Sequence, residues 1–197
     1  MFLDIVLASR KLKNHGVVSF PTETVMGLGV KYDDLTAYKL LNKIKCRQPD
    51  KPYSLMLSNI DDIYKYAEIN NEIDKVIKTF LPGPLTLLLK AKNILPEWCY
   101  KDDVVGIRVP DHKICQRLIK KTKSPLLVPS ANRSGEKPAT NSKEVKYIFK
   151  NELDYIVHGK SGGELASTIL DMSKKPYRIV REGVISKKDL QKIVEVY

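Results

Sequence analysis

The chain has 197 residues, 43% of them hydrophobic and 29% charged, which is ordinary for a soluble globular protein and argues against a disordered or fibrous one. Its net charge of +11 and its pI near 9.4 indicate an anionic partner, either a polyphosphate ligand or nucleic acid. An alternative stays open, because no block of five like charges occurs and the lysines could simply cover solvated faces.

The cysteines and histidines are scattered, three of each, with neither a CxxC nor an HxxxH spacing, so no metal site and no disulfide framework is expected. No apolar run approaches ~20 residues, and no signal peptide is evident at the N-terminus. We therefore expect a cytoplasmic protein without membrane contact. With no repeat and no linker in view, one domain over residues 1–197 is predicted.

Hydrophobic periodicity predicts an alternation of helices and strands along the whole chain. In chain order, the first half is predicted to form a helix at 2–14 that ends at Gly16, and then a strand at 17–20. A helix carrying Leu35 to Ile44 follows a cap at Asp33 or Asp34. A strand at 54–57 and helices at 60–67 and 72–80 complete this half. The second half reads as strands 85–90 and 104–109, helix 112–121, strand 126–128, helix 142–149, strands 155–157, 168–170 and 178–180, and a last helix over 187–196. This order predicts an α/β fold with a twisted, open, mixed sheet flanked by helices.

Two polar loops directly follow predicted strands. Thr22 and Thr24 come after the first strand, and Ser130 and Asn132 come after the strand at 126–128. Residues two apart in extended backbone point the same way, so each pair can address one ligand. The alternative is turn chemistry, because such side chains also bond their own backbone.

A basic cluster of Lys45, Arg47 and Lys51 ends the second helix. Arginine can bond two phosphate oxygens at once and lysine adds a mobile point charge, so the cluster suits a triphosphate. Capping of the helix by basic residues is the alternative. The GxxxxGK[ST] pattern is absent, so a nucleotide would bind by another architecture. The glycines between 159 and 163 are weak evidence for phosphate binding, and Arg181 could face the same cleft or form a surface ion pair.

Together these segments resemble the YrdC/Sua5/TsaC family of threonylcarbamoyl-AMP synthases. The matching runs are SFPTETVMGLG at 19–29, KCR at 45–47 with Pro52, PGPLT at 82–86, VGIRVP at 105–110, PSANRSG at 129–135, ST at 167–168 and REG at 181–183. They occur in the family's order from about residue 2 to residue 190. The combination is specific, although no single run is.

The resemblance implies a YrdC-like sheet with a central, basic cleft and a reaction in which ATP, L-threonine and bicarbonate give threonylcarbamoyl-AMP and pyrophosphate. It implies Mg²⁺ with the ATP, a role in t⁶A37 modification of tRNA, a downstream threonylcarbamoyl-transferase complex, and possible contact with tRNA or double-stranded RNA. It places Lys45 and Arg47 beside the phosphates as catalytic residues. By position it assigns threonine binding to Thr24, Arg108, Ser130 and Ser167, and ATP binding to Arg47, Lys51, Asn132, Thr140 and Arg181.

Three positions depart from the family pattern. Met26 stands where tyrosine is usual, Tyr53 where leucine commonly follows the proline, and Met56 where many longer members have a histidine near the threonine. The last departure removes a polar contact from the expected pocket. After Arg181 one helix remains, so we expect the short, single-domain type.

Two other functions compete with this interpretation. A non-catalytic RNA-binding module would fit the charge, but the stacking aromatics interleaved with basic residues that such modules use are missing. A carbamoyl-adenylate enzyme of the hydrogenase-maturation type would carry zinc-finger cysteine pairs, which the three scattered cysteines do not form.

Overall fold

The computed structural model describes residues 2–47 and 52–197. Its helices are α1 (Phe2–Lys13), α2 (Leu35–Lys45), α3 (Ile63–Tyr66), α4 (Asn71–Phe80), α5 (Lys113–Thr122), α6 (Ser142–Phe149) and α7 (Lys187–Gln191). Its strands are β1 (Val18–Phe20), β2 (Gly27–Lys31), β3 (Leu55–Met56), β4 (Leu85–Lys90), β5 (Val104–Arg108), β6 (Leu126–Leu127), β7 (Tyr155–Ile156), β8 (Thr168–Asp171) and β9 (Arg178–Arg181).

The strands of the described residues form a single open sheet in the order β7-β1-β2-β6-β3-β5-β4-β8-β9. Parallel pairs (β1 with β7, β3 with β5, β4 with β8) are interspersed with antiparallel ones. The predicted mixed α/β sheet flanked by helices is therefore confirmed.

Helices cover the two faces of the sheet unequally. On one face, α2, α4 and α6 share one buried cluster with alternate strand residues such as Leu55, Leu87 and Ile107. On the other face, α1 packs against α5 and buries Phe20 and Leu126 in a second cluster. That second cluster reaches Met56 on β3 and includes no residue of β5, β4 or β8, so within residues 2–47 and 52–197 its helices do not extend over those three strands.

Strand β2 is missing from the sequence prediction. Its run Gly-Leu-Gly-Val has the low strand propensity that glycine confers, which hid the strand. Tertiary packing explains the glycine, because a Cβ on Gly29 would lie 2.6 Å from the Phe20 ring on the neighbouring strand. Gly29, which lowers the strand propensity of β2, is thus required for β2 to pair with β1.

Two predicted helices, at 60–67 and 187–196, have other boundaries in the structure. The helix expected at 60–67 is a 3₁₀ turn, Ile60–Asp62, followed by the single turn of α3. The first helix ends at Lys13 with Gly16 in its cap, as predicted: His15 adopts a left-handed φ of 60°, and Gly16 N donates to the Lys11 carbonyl oxygen at 2.9 Å. The last helix stops at Gln191 rather than Val196. Its final residues extend instead, so that Tyr197 exchanges backbone hydrogen bonds with Tyr177 and Ile179.

Among the helices that the structure describes, none is both long and apolar enough to cross a bilayer.

Candidate active site

The uncovered part of the sheet forms the floor of a cavity of about 850 Å³. On β4 the cavity is lined by Thr86, Leu88 and Lys90, while the residues between them face the core. Arg108 at the end of β5 and Ser167 before β8 line the same space. Strand alternation therefore directs polar residues of distant segments toward one place.

The loop after β1 supplies a prearranged hydroxyl pair. Thr22 Oγ1 donates its one proton to the Val25 carbonyl oxygen at 2.7 Å, so Thr24 Oγ1 must donate in the 2.9 Å contact between the two hydroxyls. Arg108 Nη2 donates to Thr24 Oγ1 at 3.0 Å. Thr24 is left with one lone pair, which suits it to accept a hydrogen bond from a ligand.

A glycine-rich segment braces this loop from behind. Gly162 N donates to Thr22 O at 2.8 Å and Gly163 N donates to Thr24 O at 3.0 Å. A Cβ on Gly162 would lie 2.7 Å from the Glu23 carbonyl oxygen, so a side chain there would displace the loop. These amides are already hydrogen-bonded within the protein, which argues against the phosphate-binding role that the glycines weakly suggested.

Arg108 is already paired before any ligand binds. Its Nη2 donates to Glu23 Oε1 at 2.7 Å, and the exposed fractions of the two side chains are only 7% and 15%. Arg108 Nε and Glu23 Oε2 are shielded from solvent and have no hydrogen-bond partner among the described residues. Buried ionic groups of this kind are costly unless fully bonded. An anion at this end of the cavity would therefore compete with Glu23 for Arg108.

Arg181 provides a second guanidinium beside the first. It donates from Nε and Nη2 to the Ser167 carbonyl oxygen at 3.1 and 2.8 Å, and Ser167 Oγ lies 2.9 Å from Thr86 Oγ1. Burial and the nearby Arg108 charge lower the pKa of Arg181 from its ordinary value. Among the described residues its hydrogen-bond partners are neutral oxygens, so its charge is available to an anionic ligand.

The loop after β6 is held by Lys45. The Lys45 ammonium, on the last turn of α2, donates to Ser130 O at 2.6 Å, Asn132 O at 2.7 Å and Asn132 Oδ1 at 3.3 Å. Burial, followed by the charges of Arg47 and Arg133, lowers the pKa of Lys45 to about 8. Ser130 Oγ donates to Asn132 Oδ1 at 2.6 Å, so Ser130 also presents lone pairs to the cavity.

The predicted site residues fall into three groups. The cavity is lined by Thr24, Arg47, Arg108, Ser130, Ser167 and Arg181. Lys45 and Asn132 lie behind Ser130 and shape its loop. Thr140 is not in the cavity lining and bonds Glu144 at 3.1 Å, so its role in ATP binding stays a prediction. Lys51 lies outside the described residues.

Sequence reasoning missed Glu23 and Thr86. Glu23 lies between two threonines assigned to a ligand, where alternation would turn it away from them. Thr86 is a polar residue inside an apolar strand, Leu-Thr-Leu-Leu-Leu, and that interruption was the available signal; the structure shows it buried.

The departure at Met56 gives the cavity an apolar corner. Met56 is buried and lines the cavity, and its sulfur accepts a hydrogen bond from Cys115 Sγ at 3.3 Å. Burial raises the pKa of the Cys115 thiol, which therefore stays protonated. Met26 is also fully buried. Both methionines line the cavity, so this corner of it is apolar.

Basic residues outnumber acidic ones among the described residues that line the cavity. The six basic residues are Arg47, Lys90, Lys101, Arg108, Lys174 and Arg181, against Asp102, Asp103 and Asp171.

The profile of the Sua5/YciO/YrdC family, described as "Telomere recombination", matches residues 10–183. The chain belongs to this family. It is 34% identical to a putative threonylcarbamoyl-AMP synthase of Methanocaldococcus jannaschii, over 89% of this chain and 84% of that protein. It is 32% identical to the threonylcarbamoyl-AMP synthase of Pyrococcus abyssi, over 96% of this chain but 57% of that protein. The chain thus spans just over half the length of the Pyrococcus relative.

The fold agrees with the sequence comparison. The structure of Pyrococcus abyssi Sua5 complexed with L-threonine superimposes on the chain with a TM-score of 0.92 at 30% identity, covering 98% of this chain and 58% of that one.

Proposed function

We propose that this protein is an L-threonylcarbamoyladenylate synthase, which converts ATP, L-threonine and bicarbonate or CO₂ into threonylcarbamoyl-AMP and pyrophosphate. The observation that carries the proposal is one cavity that unites a hydroxyl cluster with three guanidinium groups, in a fold whose Sua5 relative has been crystallised with L-threonine. The residues concerned are Thr24, Ser130, Ser167, Arg47, Arg108 and Arg181.

The amino acid is proposed to lie over β5 and β8. Thr24 and Ser130 have committed their protons within the protein, so their free lone pairs suit the ammonium and hydroxyl donors of threonine. The carboxylate would face Arg108 and Ser167, with Arg181 alongside. Charge-assisted hydrogen bonds of this kind are about twice as strong as neutral ones.

The nucleotide is proposed to lie toward Arg47 and Arg181, which can neutralise phosphate oxygens. Asn132 contributes through the loop it shapes, since its amide nitrogen donates to two backbone carbonyls. Lys45 would act in the same indirect way, because its ammonium is engaged by that loop. A contact with Thr140 would require the nucleotide to displace Glu144, and Lys51 remains a candidate by position alone.

The chemistry asks mainly for positioning. The threonine ammonium first gives one proton to water, and the free amine then forms a C–N bond to CO₂. The nitrogen gives a second proton to water, which leaves a carbamate. A carbamate oxygen then attacks the α-phosphorus, and the bond to the pyrophosphate oxygen breaks so that pyrophosphate leaves with its negative charge. Fixed guanidinium groups that neutralise this charge lower the barrier.

Mg²⁺ is proposed to enter with the triphosphate. The described residues bring no group of three His, Cys, Asp or Glu side chains together that could hold a metal. Phosphate oxygens and water are the ligands that Mg²⁺ prefers in nucleotide sites. Bound there, the ion would neutralise phosphate charge.

The product would serve t⁶A37 modification of tRNA in the cytoplasm, through a downstream threonylcarbamoyl-transferase complex. Contact with tRNA or double-stranded RNA fits the net charge of +11. A non-catalytic RNA-binding module is less well supported, because the polar groups converge in a concave cavity.

The test is to incubate the full chain with radiolabelled bicarbonate, ATP, Mg²⁺ and threonine, and to separate the nucleotides. A labelled adenylate and pyrophosphate should form together, and omission of threonine or bicarbonate should abolish both. Equal pyrophosphate release without amino acid would contradict the proposal.

A further inference from the structure

The ring of Tyr53 underlies the guanidinium of Arg47. The Arg47 Cζ atom lies 4.7 Å from the ring centroid, and both residues line the cavity. A guanidinium over an aromatic face is attracted by the ring quadrupole, more strongly where water is excluded. Tyr53 is 2% exposed, so this contact is largely desolvated.

The ring itself is fixed at its far end. Tyr53 OH donates to Asn42 Oδ1 at 2.7 Å, and burial raises the pKa of the phenol, so it remains a donor at neutral pH. The ring also meets Tyr38 edge-on at 5.9 Å, and Tyr38 stacks on Trp98 at 6.2 Å. These contacts fix the plane on which the guanidinium lies.

Asn42 connects the ring to the backbone of Arg47. Arg47 N donates to the Asn42 carbonyl oxygen at 3.1 Å, in the cap that ends α2 with Cys46 at a left-handed φ of 51°. The same asparagine thus anchors the Arg47 backbone directly and its guanidinium through Tyr53. Together these contacts fix the position of the Arg47 charge in the cavity.

We propose that Tyr53 is a positioning residue that holds Arg47 ready for the polyphosphate of a nucleotide. The family resemblance places leucine at this position, and leucine has neither a π face for Arg47 nor a hydroxyl for Asn42. An arginine that is already ordered loses less side-chain freedom when a ligand binds. The inference rests on the proposed function only for the identity of the nucleotide.

The experiment is a double-mutant cycle on the full chain with the variants Tyr53→Leu, Arg47→Ala and the pair, and with Tyr53→Phe alongside. Binding of ATP and of inorganic tripolyphosphate is measured by calorimetry. Tyr53→Leu should raise the Kd for both about five- to twentyfold, whereas Tyr53→Phe, which keeps the ring, should raise it about twofold or less. In the Arg47→Ala background, Tyr53→Leu should have no further effect.

Tyr66→Leu is the matched control. Tyr66 is a half-buried core aromatic that packs on Tyr32 at 6.0 Å and is not in the cavity lining, so its loss should leave both Kd values unchanged. In the threonine-dependent assay, Tyr53→Leu should raise KM for ATP more than it lowers kcat. A misfolded Tyr53→Leu protein would lose binding in both backgrounds, which would overturn the positioning role, as would an unchanged Kd.

The inference and the proposed function can fail separately. If ATP binding depends on Tyr53 but no adenylate forms in the presence of threonine, the positioning role of Tyr53 is supported and the proposed function is contradicted. If adenylate forms but ATP binding does not depend on Tyr53, the proposed function is supported and the positioning role is contradicted. If neither ATP nor tripolyphosphate binds the wild-type chain, both are overturned.

Discussion

The ammonium of Lys45 donates at 2.6 Å to the backbone carbonyl oxygen of Ser130, a residue 85 positions further along the chain. This bond ties the last turn of α2 to the loop after β6. Two further bonds from the same ammonium reach Asn132. A basic residue that resembles a phosphate ligand in sequence therefore acts in the structure as a clamp on the ligand-facing loop.

Replacing Lys45 by methionine should destabilise the protein by about 2–4 kcal/mol, because it leaves buried carbonyl oxygens without donors. The midpoint of urea unfolding measures this loss. Lys43→Met is the control, since Lys43 lies on the same helix with an exposed side chain and should cost little. Equal midpoints for the two variants would contradict the clamp.

Neutralising Glu23 should separate fold stability from ligand affinity. Glu23→Gln leaves Arg108 without its buried counter-charge, so the free energy of unfolding should fall by about 1–3 kcal/mol. At the same time the carboxylate of threonine no longer competes with Glu23, so calorimetry should show a severalfold lower Kd for threonine.

Glu152→Gln is the control for Glu23, because Glu152 pairs with Arg133 at the surface and should change neither quantity much. If threonine binds Glu23→Gln more weakly while the fold is intact, the Glu23 carboxylate contacts the substrate itself, and the competition for Arg108 described above is contradicted.

Two neighbouring glycines should respond very differently to alanine. A Cβ on Gly162 would lie 2.7 Å from the Glu23 carbonyl oxygen, whereas a Cβ on Gly163 would keep an ordinary 3.4 Å from Thr24 O. Gly162→Ala should therefore cost about 1–3 kcal/mol in thermal or urea unfolding and weaken threonine binding. Gly163→Ala should be nearly neutral, and similar losses in both variants would show that the brace does not depend on this close approach.

Amino-acid selectivity should follow the hydroxyl more than the methyl group. Serine lacks the methyl that the Met56 corner can contact, and such a loss is worth about 1–3 kcal/mol, whereas valine leaves the hydroxyl partners of the cavity unbonded and should be nearly inert. The measurement is kcat/KM for threonine, serine and valine at saturating ATP and bicarbonate. Use of valine at the rate of threonine would refute this description of the pocket.

Local patterns in the sequence are enough to predict most elements of the fold and the two polar loops. β4 keeps its predicted bounds, and α6 begins and ends where its periodicity indicates. Gly29 shows why β2 could not be found, since its reason for being glycine lies on the adjacent strand.

The partners of the site residues were harder to predict than their presence. Nothing local to Lys45 indicates that its ammonium ends on Ser130, and nothing local to Glu23 indicates that its carboxylate meets Arg108. Such pairings depend on how segments about 85 residues apart are brought together by the sheet.

On β4, residues that hold the core and residues that line the cavity alternate one by one. Leu87 and Leu89 are fully buried, while Leu88 and Lys90 line the cavity. Substitutions at the cavity-lining positions can therefore alter what the cavity accepts at little expense to folding, whereas their neighbours tolerate few changes. A family built on this sheet can diverge in substrate by changing every second residue, and mutational scanning of the strand should show tolerance with a period of two.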